Sequence, residues 1–167
     1  GIVVGRKGWH AGVIGIVASR LSASYRRPVV VIAFDEKGAG RGSCRSIEEC
    51  SLLPALKKCS EHLVGFGGHA MAAGLDIQAA GFKGFRAAFN DAVADELRGK
   101  DLRRVQPVNA WIDLRDADEE LLSCLDAFAP FGHGNPKPVF ASRAISLADA
   151  PRKIGKKHLR LTLVSNG

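Results

Sequence analysis

Pro28-Val29-Val30-Val31-Ile32-Ala33-Phe34 is a proline followed by an unbroken apolar run rich in β-branched residues, the composition of a strand buried on both faces of a sheet. Upstream of it, Ile2 to Val4 reads as a short strand, and from Gly12 the residues Val13, Ile16, Val17 and Leu21 recur at the three-and-four spacing of an amphipathic helix. Strand, helix and strand in that order predict a right-handed crossover unit with its two strands parallel, and so an α/β fold. Downstream come a glycine-rich stretch from Gly38 to Ser46, a helix from about Ser51 to Glu61 with Leu52, Leu53 and Leu56 inward, and a second glycine cluster, Gly65-Phe66-Gly67-Gly68-His69. Ala70 to Ile77 follows, and Phe82, Phe85, Phe89, Val93 and Leu97 then mark a long helix. These elements form a first block at residues 1–99 with a mixed sheet.

Residues 100–107 are charged, aperiodic and closed by Pro107, which makes them a linker. Beyond it, Val108 to Leu114 alternates as a strand with Val108, Ala110, Ile112 and Leu114 on one face. Asp116 and Glu119 resemble an N-cap and its box partner, opening a short helix through Leu121, Leu122 and Leu125 that Pro130 ends. Two further strand patterns, Val139 to Leu147 and His158 to Val164, make residues 108–167 a β-rich block. It has too few strands for a small barrel to close and is expected to be a partial β-barrel.

The chain has 167 residues, 46% hydrophobic and 25% charged, the makeup of a soluble globular protein. It contains no apolar run of the roughly 20 residues a bilayer span needs and opens on no secretory signal pattern, which makes a cytoplasmic protein without a membrane partner the expectation. Cys44, Cys50, Cys59 and Cys124 fit neither a zinc pattern nor a compact disulfide framework and read as reduced. The net charge of +7 allows a polyanionic partner. Both blocks are basic, and Pro151 to Arg160 carries five cations and no acid.

Gly40-Arg41-Gly42-Ser43-Cys44-Arg45-Ser46 combines glycines, two hydroxyls and two guanidiniums. Successive amides of such a stretch can form an anion-binding nest, and Arg can grip phosphate through a bidentate fork; a hairpin with solvated arginines is the competing reading. Gly67 and Gly68 before His69 let main chain and imidazole meet one small ligand, where the imidazole could donate to a phosphate oxygen or carry a proton. Met71 reads as core filler and Trp9 as packing, while His10 either reaches the same cleft or caps the first helix. Pro130 to Phe140 is a stiff turn in which Phe131 and Phe140 pack or stack on bases, with His133 exposed. In Lys156-Lys157-His158-Leu159-Arg160-Leu161-Thr162-Leu163 the leucines are expected inward and His158, Arg160 and Thr162 outward, a strand that would present cations to a phosphate backbone. The close carboxylate pair Asp116-Ala117-Asp118 reads as capping, so neither a metal site nor an activated nucleophile is expected.

Trp9-His10-x-Gly12-Val13-Ile14-Gly15-Ile16-Val17-Ala18, then Gly42-Ser43-Cys44-Arg45-Ser46, then Gly67-Gly68-His69-x-x-Ala72-Ala73-Gly74 resemble, in this order, the DHH-associated domain of the RecJ exonuclease family. Pro130-Phe131-Gly132-x-Gly134-Asn135-Pro136-x-Pro138-Val139-Phe140 and the strand from Gly155 to Leu163 resemble the beginning of that family's oligonucleotide-binding barrel. The resemblance implies a DHH-associated α/β domain followed by an OB-like segment. It also implies the substrate-gripping, C-terminal part of an enzyme that degrades single-stranded DNA from 5′ to 3′, with hydrolysis supplied by an upstream DHH domain holding manganese or magnesium. That domain's acidic motifs have no match here, so no cofactor, metal ligand or catalytic residue is expected in this piece, and His69 has at most an assisting role.

On that resemblance Ser43, Arg45 and His69 match motif positions near a substrate phosphate, and Cys44 stands where the family often has glycine. The full expectation is a phosphate-binding set of Arg41, Ser43, Arg45, Ser46, Gly67, Gly68 and His69. His10, Lys156, Lys157, His158 and Arg160 would contact the strand more generally. The implied partners are single-stranded DNA and the missing domain of the same, monomeric, chain. Two other readings share the Gly67-Gly68-His69 motif: a DHH-superfamily phosphodiesterase or phosphatase acting on short oligonucleotides, and a tRNA-binding appendage like that of alanyl-tRNA synthetases.

Overall fold

The structure, a computed structural model, describes residues 1–132 and 134–165, so His133 lies outside the described residues. It divides into two compact units, Gly1–Arg104 and Val105–Gly167. In the first, β1 (Ile2–Lys7), α1 (Ile14–Tyr25), β2 (Val29–Phe34), β3 (Ala39–Arg45), α2 (Leu52–Lys58), β4 (Gly65–Gly68), β5 (Ala72–Gln78) and α3 (Phe82–Leu97) follow one another. The five strands make one mixed sheet in the order β1-β2-β3-β5-β4, with β1 parallel to β2 and every other pair antiparallel.

Strand β2 is covered on both sides, as its composition demands. Val29, Val31 and Ala33 pack with Ile14 and Ala18 of α1. Val30 and Ile32 join the larger core with Cys44, Leu75, Ile77, Leu52 and Leu56 and with Phe85, Phe89 and Val93 of α3. Phe85 and Phe89 lie fully buried with ring centroids 5.6 Å apart, and burying two aromatic side chains is a large part of what holds the helix layer to the sheet.

Helix α1 turns a different stripe inward from the one its sequence suggests. Ile14, Ala18 and Ser22 are buried and Leu21 partly so, whereas Val13, Ile16 and Val17 face solvent. The row at 14, 18 and 22 is narrow, which lets the helix approach the sheet closely, and the Ser22 hydroxyl is satisfied by donating to Ser46 O at 3.2 Å. Helix α2 is shorter than expected and gives way to a 3-10 turn at Ser60–His62. Met71 is exposed rather than core.

The two glycine clusters are strands, and the expected nest does not form. Residues Ala39–Arg45 run through the middle of the sheet with β2 on one side and β5 on the other, so their amides are occupied by the ladder. Glycine is needed here for packing. A Cβ on Gly40 would lie 2.5 Å from the Phe34 ring and one on Gly42 2.6 Å from Leu75. Cys44 points to the same side and is fully buried.

In the second unit, β6 (Ala110–Trp111), α4 (Glu119–Asp126), β7 (Phe140–Ala141), β8 (Ile145–Leu147), β9 (Arg152–Ile154), β10 (His158–Arg160) and β11 (Leu163–Ser165) are short. They pair as three separate two-stranded ladders, β6 with β7, β8 with β11 and β9 with β10, and no barrel closes among the described residues. Leu159, Leu161 and Leu163 are exposed, against expectation, because no second layer covers them among the described residues. Asp118, not Asp116, caps α4 by accepting from Leu121 N at 2.9 Å. Asp116 instead completes a capping box with Asp113 around the 3-10 turn Leu114–Asp116; both carboxylates of the Asp-Ala-Asp pair are thus spent on helix starts.

Two outcomes follow from this packing. Gly68 has φ +143, and a Cβ there would lie 2.5 Å from Ala72 O and from Ala73 Cα. Gly68→Ala should therefore cost about 2 kcal/mol in a denaturant melt, while Gly67→Ala, whose Cβ meets nothing within 4 Å, should stay within about 0.5 kcal/mol. All four thiols are free, and burial pushes Cys44 up to about 12 and Cys50 and Cys59 each up to about 11. A thiol reagent at mildly alkaline pH should rapidly modify the exposed Cys124 alone in the native chain and all four cysteines in denaturant.

Candidate nucleic-acid interface

Because side chains alternate along a strand, β3 shows its two characters to opposite faces. Gly40, Gly42 and Cys44 lie toward the core, whereas Arg41, Ser43 and Arg45 are exposed or half-buried on the face that α1 covers only in part. The ladder carries this face across the sheet: Arg45 pairs with Ala72, Ser43 with Gly74, Arg41 with Asp76, and Gly74 with Gly67. Beyond α1 the face is thus floored by alanine and glycine, and a Cβ on Gly65 or Gly67 would meet nothing within 4 Å. A ligand can come close to the main chain here.

Arg45 is held from several sides. Its Nε donates to Ser19 Oγ of α1 at 3.1 Å, and Nη1 donates to Ser43 Oγ at 3.1 Å and to Cys44 O at 2.8 Å. Nη2 has no acceptor among the described residues and is the end left for a ligand. The nitrogens that would form a bidentate fork with Nη2 are engaged by the protein itself. Gly15 makes room for this arrangement; a Cβ there would sit 3.3 Å from both Arg45 Nη2 and Ser43 Oγ.

The cleft beside Arg45 has a volume of about 520 Å³ and is lined by, among others, Ser19, Ser22, Arg26, Arg45, Ser46 and Arg104. Three guanidiniums and no carboxylate line it, which suits an anion. Arg26 and Arg104 escaped the sequence reading because nothing in their spacing ties them to Arg45. Arg26 ends α1 in a left-handed conformation, φ 46, and its Nη2 bonds Glu49 Oε1 at 2.6 Å. The only sequence signal for them was the basic pairs Arg26-Arg27 and Arg103-Arg104. Ser46, expected to offer its hydroxyl to a phosphate, gives it instead to Cys50 O at 2.6 Å, while its amide donates to Met71 O at 3.0 Å.

His69 sits in the tight turn between β4 and β5 and is exposed, its amide donating to Ala72 O at 2.8 Å. Since Ala72 is the ladder partner of Arg45, His69 and Arg45 occupy the same row at the same end of the sheet, with one strand between them. The turn is tied to the chain after β3 by Ser46 N to Met71 O at 3.0 Å and Leu52 N to Ala70 O at 2.9 Å, so the two motifs keep a fixed spacing. His69 is not among the residues lining the Arg45 cleft. Arg41 is 3.7 Å from Asp76, an exposed pair whose charges largely cancel. His10 takes the capping alternative: its Nδ1 accepts from Gly12 N at 3.1 Å and shapes the turn before α1.

In the second unit the basic run forms the β9–β10 hairpin, turning at Lys156-Lys157 with Gly155 at φ +58. Arg160 pairs with Arg152 and Leu159 with Lys153, and Lys156, Lys157, His158 and Arg160 are all exposed. Like charges set opposite one another destabilise a hairpin, a cost that an anion would relieve. Elsewhere in this unit Arg143 stacks over the exposed Trp111 ring, with 4.1 Å between guanidinium carbon and centroid. Among the described residues no three His, Cys, Asp or Glu side chains gather as a metal would require, and no helix is long and apolar enough to cross a membrane.

Comparison with known proteins gives both units a family. Residues 1–95 match the DHHA1 domain and residues 108–167 the RecJ OB domain. The single-stranded-DNA-specific exonuclease RecJ of Bacillus subtilis is 38% identical over 165 residues, a match covering 97% of this chain and 21% of that protein. The corresponding protein of Haemophilus influenzae is 35% identical over 167 residues, covering 98% of this chain and 29% of that one. Among solved structures, RecJ of Thermus thermophilus in complex with Mg2+ matches with a TM-score of 0.80 at 31% identity, covering 97% of this chain and 25% of that one. An exonuclease RecJ bound to manganese matches with a TM-score of 0.52 at 36% identity, covering 60% of this chain and 26% of its own. The chain thus spans between a fifth and a third of the length of these relatives.

Proposed function

This chain belongs to the DHHA1 domain family, and on that premise we propose that it is the substrate-gripping portion of a single-stranded-DNA-specific 5′ to 3′ exonuclease of the RecJ type. The observation that carries the reading is the Arg45 guanidinium, fixed by Ser19, Ser43 and Cys44 O with Nη2 free, beside a cleft lined by three arginines and no acid. Such a site binds an anionic group through a preset donor and loses little side-chain freedom in doing so. The anion is the 5′ phosphate of a DNA strand. The strand's continuation lies on the glycine-floored face of β3, β5 and β4, which admits a backbone without steric contest. Ser43 supports Arg45, His69 adds a donor from the adjoining turn, and Arg41 lies farther along the same face.

In the second unit the hairpin bearing Lys156, Lys157, His158 and Arg160 supplies a sequence-independent grip on phosphates. Hydrolysis belongs to a metal-bearing DHH domain of the same protein, with manganese or magnesium as its ion. No donor set for that ion gathers among the described residues here, and no step of the reaction is assigned to this chain's own side chains. Monomeric state and cytoplasmic location complete the reading.

The chain should bind single-stranded DNA with an affinity that falls steeply as salt rises, and should not degrade it in manganese. Arg45→Ala and, to a lesser degree, His69→Ala should weaken binding of a 5′-phosphorylated strand about tenfold and leave a 5′-hydroxyl strand nearly unaffected. Equal losses on both strands would point to general backbone contact. Metal-dependent degradation by the pure chain would contradict the assignment of hydrolysis elsewhere, and tighter binding of structured tRNA than of DNA would replace the substrate.

A further inference from the structure

A second cleft, of about 490 Å³, opens on the same sheet face at the opposite end of β3. Arg41 and Arg45 are four residues apart on that strand, roughly 13 Å at the rise of an extended chain, so the new cleft is well separated from the anion site. A further depression over Gly65, Gly67 and Gly74 adjoins the new cleft, sharing Arg41 and Asp76 with it. Trp9 stands on its rim, in the loop between β1 and α1. The loop is set by the Gly8 amide donating to Phe34 O at 3.2 Å and by the His10 turn.

Trp9 packs only in part, where the sequence suggested packing alone. It is 38% exposed, and among the described residues its ring stacks on nothing and its indole N–H has no acceptor. An amphipathic ring left half in water beside a cavity of ligand size is a site for another flat ring. The charges decide which part of a strand that would be. Asp35 and Asp76 line this cleft against the single cation Arg41, so it disfavours a phosphate, in contrast to the other cleft, whose lining has three guanidiniums and no carboxylate. What remains is a neutral aromatic group whose polar edge finds the carboxylates.

The geometry points to a nucleobase-stacking subsite at Trp9, at the far end of the face whose other end holds the terminal phosphate. The inference rests on the reading that this face carries a single strand. It divides the face by chemistry, with the phosphate at Arg45, a close-approach floor of glycines between, and one base of the strand stacked on Trp9.

The test is binding of the chain to a 5′-phosphorylated deoxythymidine strand in which a single abasic position is moved one nucleotide at a time from the 5′ end. One position should stand out, with loss of its base weakening binding about tenfold. In Trp9→Ala the intact strand should bind about tenfold more weakly and that position should cease to matter, whereas Trp9→Phe should keep most of both effects. The chain has two tryptophans, so in Trp111→Phe the emission reports on Trp9 alone and should be quenched by the intact strand and not by the strand lacking that base. This measurement decides the matter should Trp9→Ala fail to fold. Wild-type affinity in Trp9→Ala, abasic sensitivity that survives the substitution, or emission indifferent to the base would each overturn the subsite. If Arg45→Ala loses the 5′-phosphate preference while the Trp9 variants behave as wild type, the phosphate reading stands and the subsite falls; if the wild-type chain binds no strand, both fall.

Discussion

Everything at the candidate interface depends on the alternation along β3, seven residues in the middle of the sheet that must serve two incompatible environments at once. On the core side Gly40 and Gly42 leave no room even for a Cβ, because Phe34 and Leu75 already occupy the space above them, and Cys44 is fully buried. On the other side the same strand sets out Arg41, Ser43 and Arg45 at two-residue spacing. A one-residue slip in register would place guanidiniums in the apolar core and expose its packing surface, so burial of the core side fixes the positions of the cations.

That arrangement also holds the Arg45 side chain of the proposed anion site in place although it lies at a surface. Arg45 is a long, flexible side chain, and ordering it at the moment of binding would cost conformational entropy. Here Ser19 from α1, Ser43 from β3 itself and the Cys44 carbonyl hold it beforehand. The bonds from Ser46 and Leu52 to the β4–β5 turn lock a second motif to the same end of the sheet. The two units use different physics. The first presents a few fixed donors on a packed scaffold, and the second presents a cationic hairpin with no buried core of its own among the described residues, suited to charge attraction more than to shape.

The α/β class, the parallel β1–β2 pair, the buried β2 and the long α3 were legible because each rests on local composition and period: a β-branched apolar run, and phenylalanines at helical spacing. The inward stripe of α1 was not, because that sequence carries apolar residues on two faces and only docking against β2 and the chain after β3 selects Ile14, Ala18 and Ser22. The glycine clusters misled for a related reason. Glycine marks both turns and places of close packing, and deciding between them requires knowing that Phe34 and Leu75 lie across from β3. Likewise the exposure of Leu159, Leu161 and Leu163 depends on whether a second layer faces them, which alternation along one strand cannot say.

By itself the sequence determined the kinds of residue available for an anion, their order along the chain and the family they resemble, because motif identity is a local property. Only the tertiary structure decided which of them meet. It brought Ser19, Arg26 and Arg104 to Arg45 across long stretches of chain, turned the Ser46 hydroxyl and His10 to structural tasks, and left Trp9 open beside a cleft. Those outcomes depend on distances between residues far apart in sequence, which are set when the sheet pairs and α1 docks upon it.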